Sequence, residues 1–155
     1  MCLLHAIFPR PVVAQRMNPP TAPNAVWRNP LRTILLVDDD ARVRERLCRV
    51  LAGQSLRVIT ATNDEEALRL IDRHGPDLVI ADLNVVTISG GRMLEQLHDY
   101  YPDLPVIVIS ALPATALRGT KEFVAAFFLK PLEIDALLAA IRYHLSASGS
   151  ELIPK

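Results

Sequence analysis

The sequence predicts an α/β protein: a five-stranded parallel sheet covered by five helices. Two observations carry this. From Leu31 onward, short apolar runs alternate with segments of helical period, which is the arrangement of successive βαβ units. Four of the five runs are almost wholly apolar, as strands covered on both faces must be. The runs are residues 33–37, 57–61, 77–81, 105–109 and 126–129. The second is more polar than the others, which suits an edge strand.

The segments between them read as helices. Val43, Leu47, Val50 and Leu51 fall on one face of the first, spaced i, i+4, i+7 and i+8. Asn63 precedes the second, with Glu66 three residues on, close to a capping box, and Gly75-Pro76 stops it. The third runs from about Gly91 to Tyr100, with Met93, Leu94 and Leu97 inward. A fourth lies between Pro113 and Val124, interrupted by Gly119. The fifth starts after Pro131 and carries the stripe Ile134, Leu137, Leu138, Ile141 and Leu145. These stripes are core faces. The arginines of the first helix, Arg42, Arg44, Arg46 and Arg49, read as a solvated face.

A chain of 155 residues implies one domain with room for a real core. Six of the twelve prolines lie in residues 1–30, a density that no helical or strand period survives. Residues 1–31 are therefore expected to be a disordered leader, 32–146 the folded domain and 147–155 a flexible tail. The apolar stretch Cys2–Phe8 is broken by His5 and lacks the charged start and cleavage site of a secretory signal. Met17 is an alternative start. No apolar run reaches the roughly 18 residues of a membrane helix. Basic and acidic residues balance at 17 each, so the chain lacks the basic footprint of a nucleic-acid binder. Cys2 and Cys48 fit neither a metal spacing nor a disulfide framework, which points to the cytoplasm.

In an open α/β sheet, ligands bind beyond the carboxyl ends of the strands. The first run is followed by Asp38-Asp39-Asp40 and the third by Asp82. The fourth is followed by Ser110-Ala111 and the fifth by Lys130-Pro131. Carboxylates, a hydroxyl and one amine would thus gather at one edge. Asp38 and Asp39, with Asp82, supply the hard oxygen ligands that Mg²⁺ takes alongside waters and phosphate, while Asp40 suits the first helix's N-cap. A carboxylate can attack a phosphoryl group and hold it as an acyl phosphate. Lys130 offers a point charge and Ser110 a hydroxyl donor for the phosphoryl oxygens.

The stretches Val-Asp-Asp-Asp at 37–40, Ile-Ala-Asp-Leu at 80–83, Ile-Ser-Ala at 109–111 and Leu-Lys-Pro at 129–131 together resemble the receiver domain of two-component response regulators. The resemblance spans about Leu31 to Leu145. It implies a flavodoxin-like, doubly wound sheet of order 2-1-3-4-5, with Asp82 as phosphoacceptor. It implies Mg²⁺ held by Asp38, Asp39, Asp82 and the backbone carbonyl of Asn84. Ser110 would be the switch hydroxyl, Phe127 would stand at the switch aromatic, and the Lys130–Pro131 bond would be cis. The implied phosphodonor is a histidine kinase or a histidine phosphotransfer protein. Output would pass to another protein through the face of the fourth helix, fifth strand and fifth helix, without nucleic acid or membrane. Beyond its own phosphoryl transfer and hydrolysis, such a domain is not an enzyme.

The sequence departs from the family at three places, one of them the stretch from Ser110 to Lys130, which is about two residues shorter than is usual. Val86 stands where a proline is usual, although Gly90 fits the same loop, and Phe127 replaces a frequent tyrosine. A phosphate-independent interaction module of the same fold is the main alternative. The Asp38-Asp39-Asp40 run also superficially resembles haloacid-dehalogenase-like phosphatases. Arg42 breaks that motif, and only Glu133, Asp135 and Glu151 remain after Lys130 as late acids.

Overall fold

The computed structural model describes residues 31–82, 84, 92–117, 119 and 121–147. The expected leader, the tail beyond 147, Val86 and Gly90 lie outside the described residues. The described elements run β1 (Thr33–Val37), α1 (Ala41–Ala52), β2 (Arg57–Ala61), α2 (Asp64–His74), β3 (Leu78–Asp82), α3 (Arg92–Tyr100), β4 (Val106–Ser110), β5 (Ala126–Leu129) and α4 (Ile134–Ala147). All strand pairs are parallel, and the order is β2-β1-β3-β4-β5. This is the doubly wound order that the resemblance implies.

Successive side chains of a strand point to opposite faces, and here both faces are covered. Leu35, Val37, Val79, Ala81, Val106 and Val108 pack with Ala67 and Ile71 of α2 and Met93, Leu94 and Leu97 of α3. Ile34, Leu36, Leu78, Ile80, Ile107 and Ile109 pack with Leu47 and Leu51 of α1 and Leu137, Leu138, Ile141 and Leu145 of α4. Each such side chain contributes roughly 1.5–3 kcal/mol relative to an exposed one. The central strands β1, β3 and β4 are buried throughout, whereas β2 and β5 are part-exposed edges.

Two expectations change. The third and fourth strands begin one residue late, at Leu78 and Val106, and end on Asp82 and Ser110. Asp77 is spent as a staple, accepting from Thr33 N at 2.8 Å and Arg32 Nη1 at 3.0 Å. Pro105 has no N–H for a ladder, although its carbonyl accepts from Val79 N. The second change is the helix count. The described residues hold four α-helices, and the expected fourth is replaced by two 3-10 turns, Ala114–Leu117 and Lys121–Phe123. Gly119 sits between them at φ +77°, a left-handed value that an α-helix does not contain. The turns still cover the sheet, because Leu117 is buried and Phe123 and Val124 pack on the same cluster.

Candidate functional site

The site is built where the three central strands run out. β1 and β3 pair up to Val37 and Ala81, so Asp38 and Asp82 leave the ladder side by side. β4 ends on Ser110, paired with Leu129, and Lys130 follows. Lys130 N donates to Ser110 O at 2.7 Å, continuing the ladder one step. Asp38 and Asp82 are each 4% exposed and Ser110 is 2% exposed. The expected site residues Asp38, Asp82, Ser110 and Lys130 therefore meet at one edge.

Each polar group has a defined partner. Lys130 Nζ donates to Asp82 Oδ2 at 2.6 Å, and Asn84 N donates to Asp82 Oδ1 at 2.7 Å. Asp38 Oδ1 accepts from Asp40 N at 2.8 Å. Ser110 Oγ accepts from Leu112 N at 2.8 Å, a turn that leaves the hydroxyl hydrogen as a donor. Asp40 caps α1, accepting from Arg42 N at 2.8 Å. Asp39 is exposed and joins the group through charge. Phe127 is half-buried and packs with the α2–α3 side of the core. The Lys130–Pro131 bond is cis. The Lys130 stem lines an apolar cavity of about 280 Å³ with Val43, Leu47, Ile109 and Ile134.

The electrostatics follow from burial of like charges. Burial raises the pKa of Asp38, the Asp40 N–H opposes it, and repulsion from Asp82 and Asp39 raises it further against the pull of Lys130. Burial works against the Lys130 charge, but the hydrogen bond and charge of Asp82, with Asp38 and Asp40 beyond, outweigh it and raise the lysine's pKa. The edge therefore carries more carboxylate than Lys130 neutralises. Among the described residues no three His, Cys, Asp or Glu side chains close into a metal cage. Two adjacent buried carboxylates nevertheless fit a cation that takes one or two of them and completes its shell with waters and phosphate.

One contact escaped sequence reasoning. Arg44, read as part of a solvated face, is half-buried, and its Nη1 donates to the carbonyl of Asp38 at 2.7 Å. The available signal was its place in the second turn of a helix, where side chains lean back toward the N-terminus.

A buried acidic edge with one lysine, on a sheet of this order, defines a class of domain. The chain belongs to the response regulator receiver family, whose family model matches residues 34–142. It is 34% identical over 118 residues to the transcriptional regulatory protein GlrR of Escherichia coli, a match covering 75% of this chain and 27% of the relative. It is 34% identical over 111 residues to the response regulator MprA of Mycobacterium leprae, covering 70% and 49%. The chain thus spans about a quarter to a half of the length of these curated relatives. A receiver domain protein from Methanospirillum hungatei matches in fold, with TM-score 0.72 and 23% identity over 79% of this chain and 99% of that one. TrrA of Thermotoga maritima, solved in complex with Mg²⁺ and BeF, matches with TM-score 0.67 and 26% identity over 74% and 99%. No helix among the described residues is long and apolar enough to cross a membrane.

Proposed function

We propose that this receiver domain is a phosphorylatable switch of a two-component phosphorelay. The observation that carries the reading is the 2.6 Å contact of Lys130 with Asp82, beside the equally buried Asp38. A free Oδ lone pair of Asp82 attacks the phosphorus of a phosphohistidine on a histidine kinase or phosphotransfer protein. The O–P bond forms, the N–P bond breaks and the imidazole leaves. Asp38, Asp39, Asp82 and the Asn84 carbonyl would hold Mg²⁺, which supplies the charge neutralisation that lets a phosphoryl group approach carboxylates. Lys130 then exchanges its contact with Asp82 for the phosphoryl oxygens. Ser110 rotates its hydroxyl onto them, drawing the 110–112 turn inward, and Phe127 repacks behind it.

The output face of this chain is formed by the two 3-10 turns, β5 and α4, since an α-helix is absent from described residues 111–125. We read the chain as cytoplasmic and as acting on another protein rather than on nucleic acid. GlrR is by name a transcriptional regulator and extends well beyond the matching part; the reading of a protein partner for this domain is supported by its balanced charge.

The test is to add Mg²⁺ and beryllofluoride, a phosphoryl mimic, and follow amide NMR signals in the wild type and Asp82→Asn. Shifts at Ser110, Phe127 and Lys130 that need Mg²⁺ and vanish in the variant are expected. A folded protein with no response would overturn the switch. It would favour the phosphate-independent interaction module, a reading that Phe127 and the non-helical crossover already suit.

A further inference from the structure

We infer that Arg44 is a positioning residue for the Asp38 carboxylate, fastening both ends of the Asp38–Asp40 turn to α1 and so presetting the cation-binding edge. The inference rests on the switch reading above. A turn of three consecutive aspartates has every electrostatic reason to spread apart. Here it is held from several sides. Asp38 N donates to Ala61 O of β2 at 3.2 Å, and Asp40 N closes the turn onto Asp38 Oδ1. Arg44 then grips it twice: its backbone N donates to Asp40 O at 3.0 Å and its Nη1 to Asp38 O at 2.7 Å.

The other arginines of α1 are placed differently. Arg42, Arg46 and Arg49 are exposed, and Arg49 pairs with Glu45 one turn back along the helix. Arg44 is half-buried over the turn. Arg44 meets the turn at two main-chain oxygens, Asp38 O and Asp40 O, so it acts through the main chain. Outer partners that orient a metal ligand are worth about 10–100-fold in metal affinity.

The experiment is a titration of the full chain with Mg²⁺ alone, following the amide signals of Asp38, Asp40 and Asp82, together with hydrogen exchange at the Asp40 amide in metal-free protein. Arg44→Met keeps the stem and removes the donor. It is expected to weaken Mg²⁺ by about tenfold or more and to speed exchange at Asp40. Arg44→Lys keeps one N–H donor and is expected to return affinity to within about threefold of wild type. Arg49→Met, on the same helix, is expected to change neither. Should Arg44→Met not fold, Arg44→Gln carries the same comparison, because its shorter amide stops short of the carbonyl. A folded Arg44→Met that binds Mg²⁺ as the wild type does overturns this inference and leaves the switch reading intact. A wild type that binds no Mg²⁺ overturns both.

Discussion

Two regions of this domain are held to different standards. Around Asp38 and Asp82, contacts are specified atom by atom: Lys130 and Asn84 on Asp82, Asp40 and Arg44 on Asp38, and Leu112 on Ser110. The described part of the crossover from β4 to β5 is held largely by packing, with main-chain bonds from Ala125 N to Val106 O at 2.8 Å and from Val124 N to Lys121 O at 3.3 Å. Leu117 is buried, and Phe123 lies stacked on His98 of α3 with ring centroids 4.0 Å apart. The difference follows from what each region must exclude. A misplaced carboxylate among carboxylates costs several kcal/mol of unbalanced charge. A loose crossover costs only the apolar area it fails to cover. The first region therefore tolerates little variation, and the second tolerates much.

The largest effect should separate the two directly. Lys130→Met is expected to slow phosphoryl uptake from a small-molecule donor by about 10²–10³-fold, whereas Phe123→Ala leaves uptake within about threefold. Initial rates with a labelled donor and saturating Mg²⁺ read this out. Equal losses in the two variants would show that the crossover takes part in the chemistry and would break the comparison.

The next effect concerns packing. Leu117→Ala is expected to cost about 2 kcal/mol and Ile71→Ala about 3 kcal/mol, because a crossover of two short 3-10 turns can collapse onto the gap while the eleven-residue α2 cannot. Urea unfolding followed by circular dichroism measures both. A larger cost at Leu117 would mean that the two turns are as rigid as a helix.

A smaller effect has the opposite sign. Asp38→Asn removes a buried charge that Asp82 and Asp39 repel, so it is expected to stabilise the fold by about 1 kcal/mol while weakening Mg²⁺ binding. Thermal unfolding without metal, paired with the Mg²⁺ titration, checks the trade. Destabilisation would mean that the Asp40 N–H bond outweighs the repulsion.

The same contrast explains what could be read in advance. Asp38, Asp82, Ser110 and Lys130 each close an apolar run, and a parallel sheet brings such closures to one edge whatever the helices do. Strand order needed the resemblance, because apolar runs do not say which of them are neighbours, only that the polar second belongs outside. Arg44 was hidden because a helix arginine looks the same whether it meets water or a turn six residues back. The segment between Pro113 and Val124 read as a helix because the strand–helix alternation called for one there, with Gly119 already interrupting it, and the positive φ at Gly119 won. In α2, spacing agreed with an Asn63 cap, acids in the first turn, bases in the last and a left-handed Gly75. Where cap and period agree, the reading holds. Where a glycine interrupts the segment, it does not.

The smallest effect tests that cap at the corner where β2 supports Asp38. Asn63 Oδ1 accepts from Glu66 N at 2.8 Å, as a capping box requires. The Glu66 carboxylate reaches one residue further back than such a box expects, onto Thr62 N and Thr62 Oγ1, both at 2.8 Å. These bonds lower the pKa of Glu66 below its ordinary 4.5. A carboxylate with a lowered folded pKa stabilises fully above its ordinary value, and that contribution fades as pH falls through the lower one. Because the group is exposed, Glu66→Gln is expected to cost only a few tenths of a kcal/mol at neutral pH. The gap between variant and wild type should then close as pH drops from about 6 to about 3.5, measured as paired urea midpoints. A gap that stays constant would show that the cap acts by shape and not by charge, and would place this corner with the crossover rather than with the acidic edge.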